Sequence, residues 1–293
     1  MGYKIKGSCL VAFVAIIVYL YSDTFDPASL VNARVLVTGA SAGIGEEIAY
    51  HYARAGANLV LTARRENVLI TVRNKCLKLG AKTVSMVVAD MGSSEDRNGV
   101  VEKAIADMGG LDYLVLNHIG YTPFQMWDGD VNHTRWLMEV NFLSYIHLAT
   151  KALPYLAKSR GSVIVLSSLT GKIATPYTTS YGASKFALDG FFSSLRHELG
   201  MKGIPVSITL CILGLIDTQS AMEKVKDKIS MPAYPAHDAA LAVVSAGASR
   251  IEEMYYPWYV KPLCFFREWF PQSRAWVMQR SYQYKPEETV ASL

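Results

Sequence analysis

Tyr181 and Lys185 stand four positions apart in the stretch YGASK, with only Gly182, Ala183 and Ser184 between them. On a helix, side chains at i and i+4 share a face, about 5–6 Å apart at their Cβ atoms. A phenol and an ammonium would then point into the same space, a combination suited in type to moving a proton. A surface pair at this spacing is the commoner occurrence, so the neighbouring residues decide. Ser168 lies thirteen positions before Tyr181, at the end of the apolar run GSVIVLSS, and Asn141 falls in the helical stretch before that run. Each has a plain structural role open to it: Ser168 as a turn cap, Asn141 as a partner for backbone. Yet all four fall where the C-terminal edge of a parallel sheet would gather them into one cleft.

A second constellation sits near the start. TGASAGIG (38–45) follows an apolar strand and opens a helix. Gly39, Gly43 and Gly45 allow a tight turn and close backbone approach to a pyrophosphate, which the free N–H groups of the helix start would bind. The next strand ends TARR, with Arg64 and Arg65 and no acid before Glu66. An acid there would hold a ribose 2′-hydroxyl, whereas arginine suits a 2′-phosphate. That predicts NADP rather than NAD.

These residues need a scaffold, and the pattern between them supplies one. Strands are expected at 33–39, 58–64, 82–90, 111–117, 161–168 and 205–212. Helices are expected at 44–56, 66–79, 94–108, 132–157 and about 180–201. Continuous apolar strands alternating with helices predict an α/β fold: a doubly wound, Rossmann-type parallel sheet with helices on both faces, in one domain. Its expected bounds are 33–260, preceded by a linker over 23–32 and followed by an aromatic and basic extension over 261–293. The whole stretch past residue 250, MYYPWYVKPLCFFREWFPQSRAWVMQRSYQY, is either a last strand plus a docked C-terminal helix, or a surface that dips into lipid or meets a second copy.

With 51% hydrophobic and 18% charged residues, the 293-residue chain can build a sizeable core. A net charge of +4 without any dense basic run gives no case for nucleic acid. Cys9, Cys76, Cys211 and Cys264 are scattered, with neither metal-ligand nor disulfide spacing, and read as small buried residues. Residues 1–22 join a basic flank, Lys4 and Lys6, to an apolar run from Cys9 to Tyr21. This is the pattern of a signal or signal-anchor segment, and it directs the rest of the chain to the secretory pathway. Cleavage would make the protein secreted; retention would anchor it in the endoplasmic reticulum membrane with a lumenal catalytic domain. The sequon Asn132-His133-Thr134 agrees with that side.

Taken together, TGxxxGxG, a serine, YxxxK and a helix asparagine resemble the short-chain dehydrogenase/reductase family over residues 33 to about 220. LNHIG, EVNFLSY, KFALDGFFSSLRHEL and VSITLCILGLIDT are similar to its hydroxysteroid dehydrogenase branch. The resemblance implies an oxidoreductase that uses NADP to interconvert a hydroxyl and a ketone on a steroid-like, lipophilic substrate. Tyr181 would be the general acid/base, and Lys185 would favour its phenolate and hold the nicotinamide ribose. Ser168 would bind the substrate oxygen beside Tyr181, and Asn141 would hold a relay water. Gly39, Ala40, Ser41, Ala42, Gly43, Ile44 and Gly45 would cradle the pyrophosphate, with Arg64 and Arg65 at the 2′-phosphate. Asp90 and Met91 would flank the adenine and Asn117 the adjoining ribose, with His118 and Ile119 also binding the cofactor, and Ile216, Asp217 and Thr218 would close over the nicotinamide amide. No metal is implied, and a homodimer and membrane contact at both terminal segments are expected. The chain departs from the pattern at Ala42, where the steroid-acting branch has lysine, and at Thr175, where it has tyrosine. Reduction of retinoid or xenobiotic carbonyls, or a non-catalytic dinucleotide- or lipid-binding module, are the other readings.

Overall fold

The computed structural model describes residues 25–225, 228–269 and 280–282. The segment expected over 1–22, including Cys9, and much of 261–293 lie outside the described residues. The six expected strands form as β1 (Arg34–Thr38), β2 (Asn58–Ala63), β3 (Thr83–Val88), β4 (Tyr113–Leu116), β5 (Ser162–Leu166) and β6 (Ser207–Leu213). Two short strands, β7 (Ile216–Asp217) and β8 (Tyr234–Pro235), pair with each other, and β9 (Glu253–Tyr256) completes the main sheet. The order β3-β2-β1-β4-β5-β6-β9 is parallel throughout. Chain direction across the sheet reverses between β1 and β4, and a crevice at the C-terminal ends of those strands is where such folds take ligands.

The helices are α1 (Gly43–Arg54), α2 (Glu66–Leu79), α3 (Ser94–Asn98), α4 (Val100–Met108), α5 (Val131–Met138), α6 (Ser144–Ser159), α7 (Thr179–Met201), α8 (Gln219–Val225), α9 (Ala236–Ala248) and α10 (Val260–Trp269). They divide between the two faces of the sheet. Val163 and Val165 of β5 join a core with Leu148 of α6 and Leu188 and Phe192 of α7. Ile164 and Leu166 of the same strand face the opposite core, with Ile48 of α1, Leu69 of α2 and Val243 of α9. The two-residue period of a strand serves both layers, so every position from Val163 to Leu166 is apolar. Complete burial of a side chain such as Phe192 contributes about 1.5–3 kcal/mol. At the opposite end of the sheet, Arg34 at the start of β1 bonds Asp112 just before β4, with Nη2 to Oδ1 at 2.7 Å. Burial opposes ionisation of Asp112, but these hydrogen bonds outweigh it and hold the carboxyl below its usual range.

Two expected helices are broken. The helix over 94–108 divides at Gly99 into α3 and α4. The helix over 132–157 is interrupted by a single π turn, Glu139–Leu143, with Asn141 at its middle. π turns inside helices concentrate at functional sites because the extra residue redirects side chains. After Ile251 the chain adds β9 and α10, the first of the two expectations for that region. Tyr282 returns to the main core at 7% exposure and packs on Phe124 and Tyr177, so packing continues across residue 260. Cys76 and Cys211 are buried free thiols and Cys264 is half-buried. No helix among the described residues is long and apolar enough to cross a membrane.

Candidate active site

The residues expected to be catalytic are assembled at the start of α7. The turn Leu169–Gly171 after β5 lies against this helix, and a Cβ on Gly171 would sit 2.9 Å from the Lys185 backbone. Only glycine lets the turn come so close. The turn is held by Ser168, whose Oγ accepts hydrogen bonds from Thr170 N at 3.2 Å and Thr170 Oγ1 at 3.0 Å. Ser168 also shares a hydrogen bond with the Tyr181 hydroxyl. Lys185, one helical turn further on, is 1% exposed and donates from Nζ to the Leu166 carbonyl at 2.7 Å. Its Nζ lies 5.6 Å from the centre of the Tyr181 ring and 5.5 Å from that of Tyr145.

Asn141 is fully buried behind this group. Its Oδ1 accepts from Gly120 N at 2.7 Å, and its Nδ2 donates to Ser184 Oγ at 3.1 Å. Ser184 in turn donates to the Tyr181 carbonyl at 2.7 Å. The asparagine therefore ties the loop after β4 to the first turn of α7, and its amide works as a positioning group. Burial drives the electrostatics of the pair. It pushes the Tyr181 phenol up to about 12, with the Ser168 hydrogen bond pulling the other way, and lowers Lys185 to about 7. The depressed phenol expected from a nearby ammonium is thus not a property of this chain alone. Desolvation exceeds the influence of a cation that reaches toward Leu166.

The glycine loop links β1 to α1 at the switch point. Gly39 and Gly43 have φ of +62° and +59°, the left-handed region that glycine tolerates. A Cβ on Gly45 would come within 2.4 Å of the Gly39 carbonyl oxygen and 2.3 Å of Asn117 Nδ2. On Gly43 it would meet Thr218 Cγ2 at 3.0 Å. The loop is therefore a backbone-lined cradle at a helix N-terminus, bordered by Asn117 and Thr218, and its shape and polarity suit a dinucleotide's pyrophosphate. Asn117 Nδ2 fixes it by donating to the carbonyls of Thr38 and Gly39, each at 3.1 Å. Ala40 is buried beneath the loop, whereas Ser41, Ala42 and Ile44 remain accessible. Exposed Arg64 and Arg65 follow β2, and Arg65 Nη2 lies 3.4 Å from Ser41 Oγ, which places a guanidinium beside the loop.

The other expected contacts are distributed around the same crevice. Asp90 accepts from Gly92 N at 2.9 Å after β3, beside the buried Met91. Ile119 is exposed after β4, and Ile216 is buried in β7 with Asp217 exposed next to it. The His118 side chain is occupied elsewhere. Its Nδ1 lies 2.9 Å from Thr38 Oγ1 and its Nε2 lies 2.6 Å from Ser144 Oγ, so the ring pegs β1 to α6. Burial, with a further push from Lys185, lowers its pKa to about 3 and keeps the imidazole neutral. Sequence reasoning missed this role; a histidine beside a strand end does not announce partners on two distant elements.

A cavity of about 170 Å³ reaches Tyr181 from outside. Aromatic and apolar residues line it, among them Tyr121, Trp127, Leu137 and Tyr177, together with polar Asp128 and His133. At its mouth Tyr121, Met126 and Trp127 are about half exposed or more, at 64%, 55% and 49%. Such a mouth favours an apolar ligand with one polar group directed at the floor.

A family model described as short chain dehydrogenase matches residues 33–229. A hydroxysteroid 11-beta-dehydrogenase 1-like protein of Xenopus tropicalis is 73% identical, covering 97% of this chain and 99% of that relative. Proteins of the same name from Gallus gallus and Homo sapiens are 59% and 54% identical, over 95% and 75% of this chain and 97% and 70% of theirs. A short-chain dehydrogenase/reductase of Caenorhabditis elegans, solved with cofactor, superposes with a TM-score of 0.69 at 23% identity, over 78% of this chain and 94% of its own. A short chain dehydrogenase of Burkholderia cenocepacia J2315, in complex with NADP, gives 0.68 at 24%, over 77% and 96%. At these identities the two structures speak to the fold.

Proposed function

The chain belongs to the short-chain dehydrogenase/reductase family and is an oxidoreductase, and from that premise we propose that it interconverts a hydroxyl and a ketone on a steroid-like substrate with NADP(H). The observation that carries this reading is Tyr181, which lines an aromatic-mouthed cleft and is hydrogen-bonded to Ser168, with Lys185 buried one helical turn further on. The names of the curated relatives point to the same substrate class. Arg65 beside the glycine loop and Arg64 next to it after β2 support NADP over NAD, since a guanidinium offers a charge-assisted bond to a 2′-phosphate. When bound, NADP(H) supplies or accepts the hydride.

The chain's own residues handle the proton. In the reducing direction Ser168 donates a hydrogen bond to the ketone oxygen, and Tyr181, a phenol that burial keeps protonated, gives its proton to the forming alkoxide. Lys185 in its charged form stabilises the phenolate left behind. Asn141 keeps α7 and the Gly120 loop in register for that transfer. The reverse sequence oxidises an alcohol. A non-catalytic binding module would have no use for an ammonium buried with one backbone acceptor, an arrangement that opposes folding.

The same reading includes a homodimer in the secretory pathway and membrane contact at the two terminal segments. Trp258 and Phe265, 77% and 67% exposed around the start of α10, support the last of these. The deciding experiment follows NADPH absorbance with purified protein and a panel of steroid ketones and alcohols. Wild-type protein turns over at least one of them, and Tyr181→Phe lowers kcat by about 10²–10⁴ while still binding NADPH. Substantial turnover by Tyr181→Phe would exclude this mechanism.

A further inference from the structure

The helix that opens from the glycine loop carries a second group of chemically active residues on its outer surface. Glu47 and His51 lie four positions apart on α1, and His237 is the second residue of α9, 186 positions after His51. Packing of α9 against α1 brings the three together. His237 Nδ1 lies 3.1 Å from Glu47 Oε2, and the two imidazole rings face each other with centres 4.4 Å apart, inclined by 38°. His51 Nε2 is 3.0 Å from the His237 carbonyl oxygen. One ligand atom from each residue falls within 4.8 Å of the other two. We propose that Glu47, His51 and His237 form a binding site for a borderline divalent transition-metal ion, Zn²⁺ being the type, which clamps α1 to α9.

The donor set selects the ion. Two imidazoles and one carboxylate suit Zn²⁺, Cu²⁺ and Ni²⁺, whereas Mg²⁺ and Ca²⁺ require oxygen shells. Ligands around a tetrahedral Zn²⁺ at about 2.0–2.2 Å are separated by roughly 3.4 Å. The group is close to that spacing and needs only side-chain rotation to reach it. The His237 side chain is 51% exposed, which leaves a path from solvent and room for water as the remaining ligand. None of the three residues belongs to the catalytic set, so this site stands or falls independently of the proposed activity.

The test titrates full-length protein, without a histidine tag, with ZnCl2 by isothermal calorimetry at pH 7.5. One saturable site is expected, and His237→Ala and Glu47→Gln each weaken it at least tenfold. MgCl2 and CaCl2 do not displace the ion. ZnCl2 raises the melting temperature of the wild type but not of His237→Ala, whose metal-free melting matches wild type because the side chain is half exposed. Equal Zn²⁺ affinity in wild type and both variants would locate any bound ion elsewhere and overturn the proposal. Absence of binding at micromolar ZnCl2 would overturn it too, leaving a hydrogen-bonded Glu47–His237 pair.

Discussion

Replacing Gly45 with alanine adds one methyl group to the glycine loop, and the structure indicates what that methyl meets. It would lie 2.4 Å from the Gly39 carbonyl oxygen and 2.3 Å from Asn117 Nδ2, against an ordinary contact of about 3.4 Å or more. One or both partners must move by about 1 Å. Asn117 cannot swing aside freely, since its Nδ2 holds the Thr38 and Gly39 carbonyls. Overpacking costs about 1–3 kcal/mol and a lost hydrogen bond about 1 kcal/mol more, for roughly 2–4 kcal/mol together. In a chain of this size each kcal/mol moves the melting temperature by about 2–4 °C, so a fall of about 5–15 °C is expected. A cradle displaced by about 1 Å also loses on the order of 10²-fold in productive NADPH engagement. Gly200→Ala is the matched control: it lies in α7 with nothing within 4 Å of the added Cβ, and should stabilise by about 0.5–1 kcal/mol. Differential scanning calorimetry of the free protein and NADPH fluorescence titration read both effects. Wild-type melting and NADPH affinity in Gly45→Ala would refute the cradle. NADPH loss in Gly200→Ala would show that position is not what matters.

Arg64→Asp should shift the NADP/NAD ratio of kcat/KM towards NAD by at least tenfold, because a carboxylate repels the 2′-phosphate and accepts a ribose hydroxyl; an unchanged ratio would exclude the cofactor assignment. His118 should make the fold acid-sensitive. Its folded pKa is about 3 and its unfolded value about 6.5, so between these the unfolded chain binds more protons, and stability falls as pH is lowered. From pH 7 to 4.5 that amounts to about 2–3 kcal/mol, and urea unfolding of His118→Gln should lack this part of the slope. Identical slopes would mean that the ring is not held neutral. Asn132, exposed at the start of α5, should become glycosylated when the full chain is made with microsomes, and deletion of residues 1–21 should prevent it. Protease digestion of the catalytic domain outside intact microsomes would instead place it in the cytosol.

What the sequence determined by itself was local. The glycine loop was legible because left-handed φ and close backbone approach demand glycine at Gly39, Gly43 and Gly45, whatever surrounds them. The Tyr181–Lys185 pair was legible because helix geometry alone brings i and i+4 together. Alternation of apolar runs revealed a parallel sheet covered on both sides. It could not say which face each residue takes, since both faces of β5 are apolar. Strand order, and with it the crevice between β1 and β4, depends on how distant segments pair. The π turn at Asn141 escaped the helical pattern because one added residue barely disturbs periodicity, yet it aims the asparagine at Gly120 and Ser184. Burial of Lys185 and Tyr181, which sets their proton affinities, belongs to the packed core and to no short stretch. Tyr282 on Phe124, and His237 beside Glu47, are contacts between residues more than 150 positions apart. Tertiary packing decides such contacts because local spacing constrains only residues within a turn or a strand of one another.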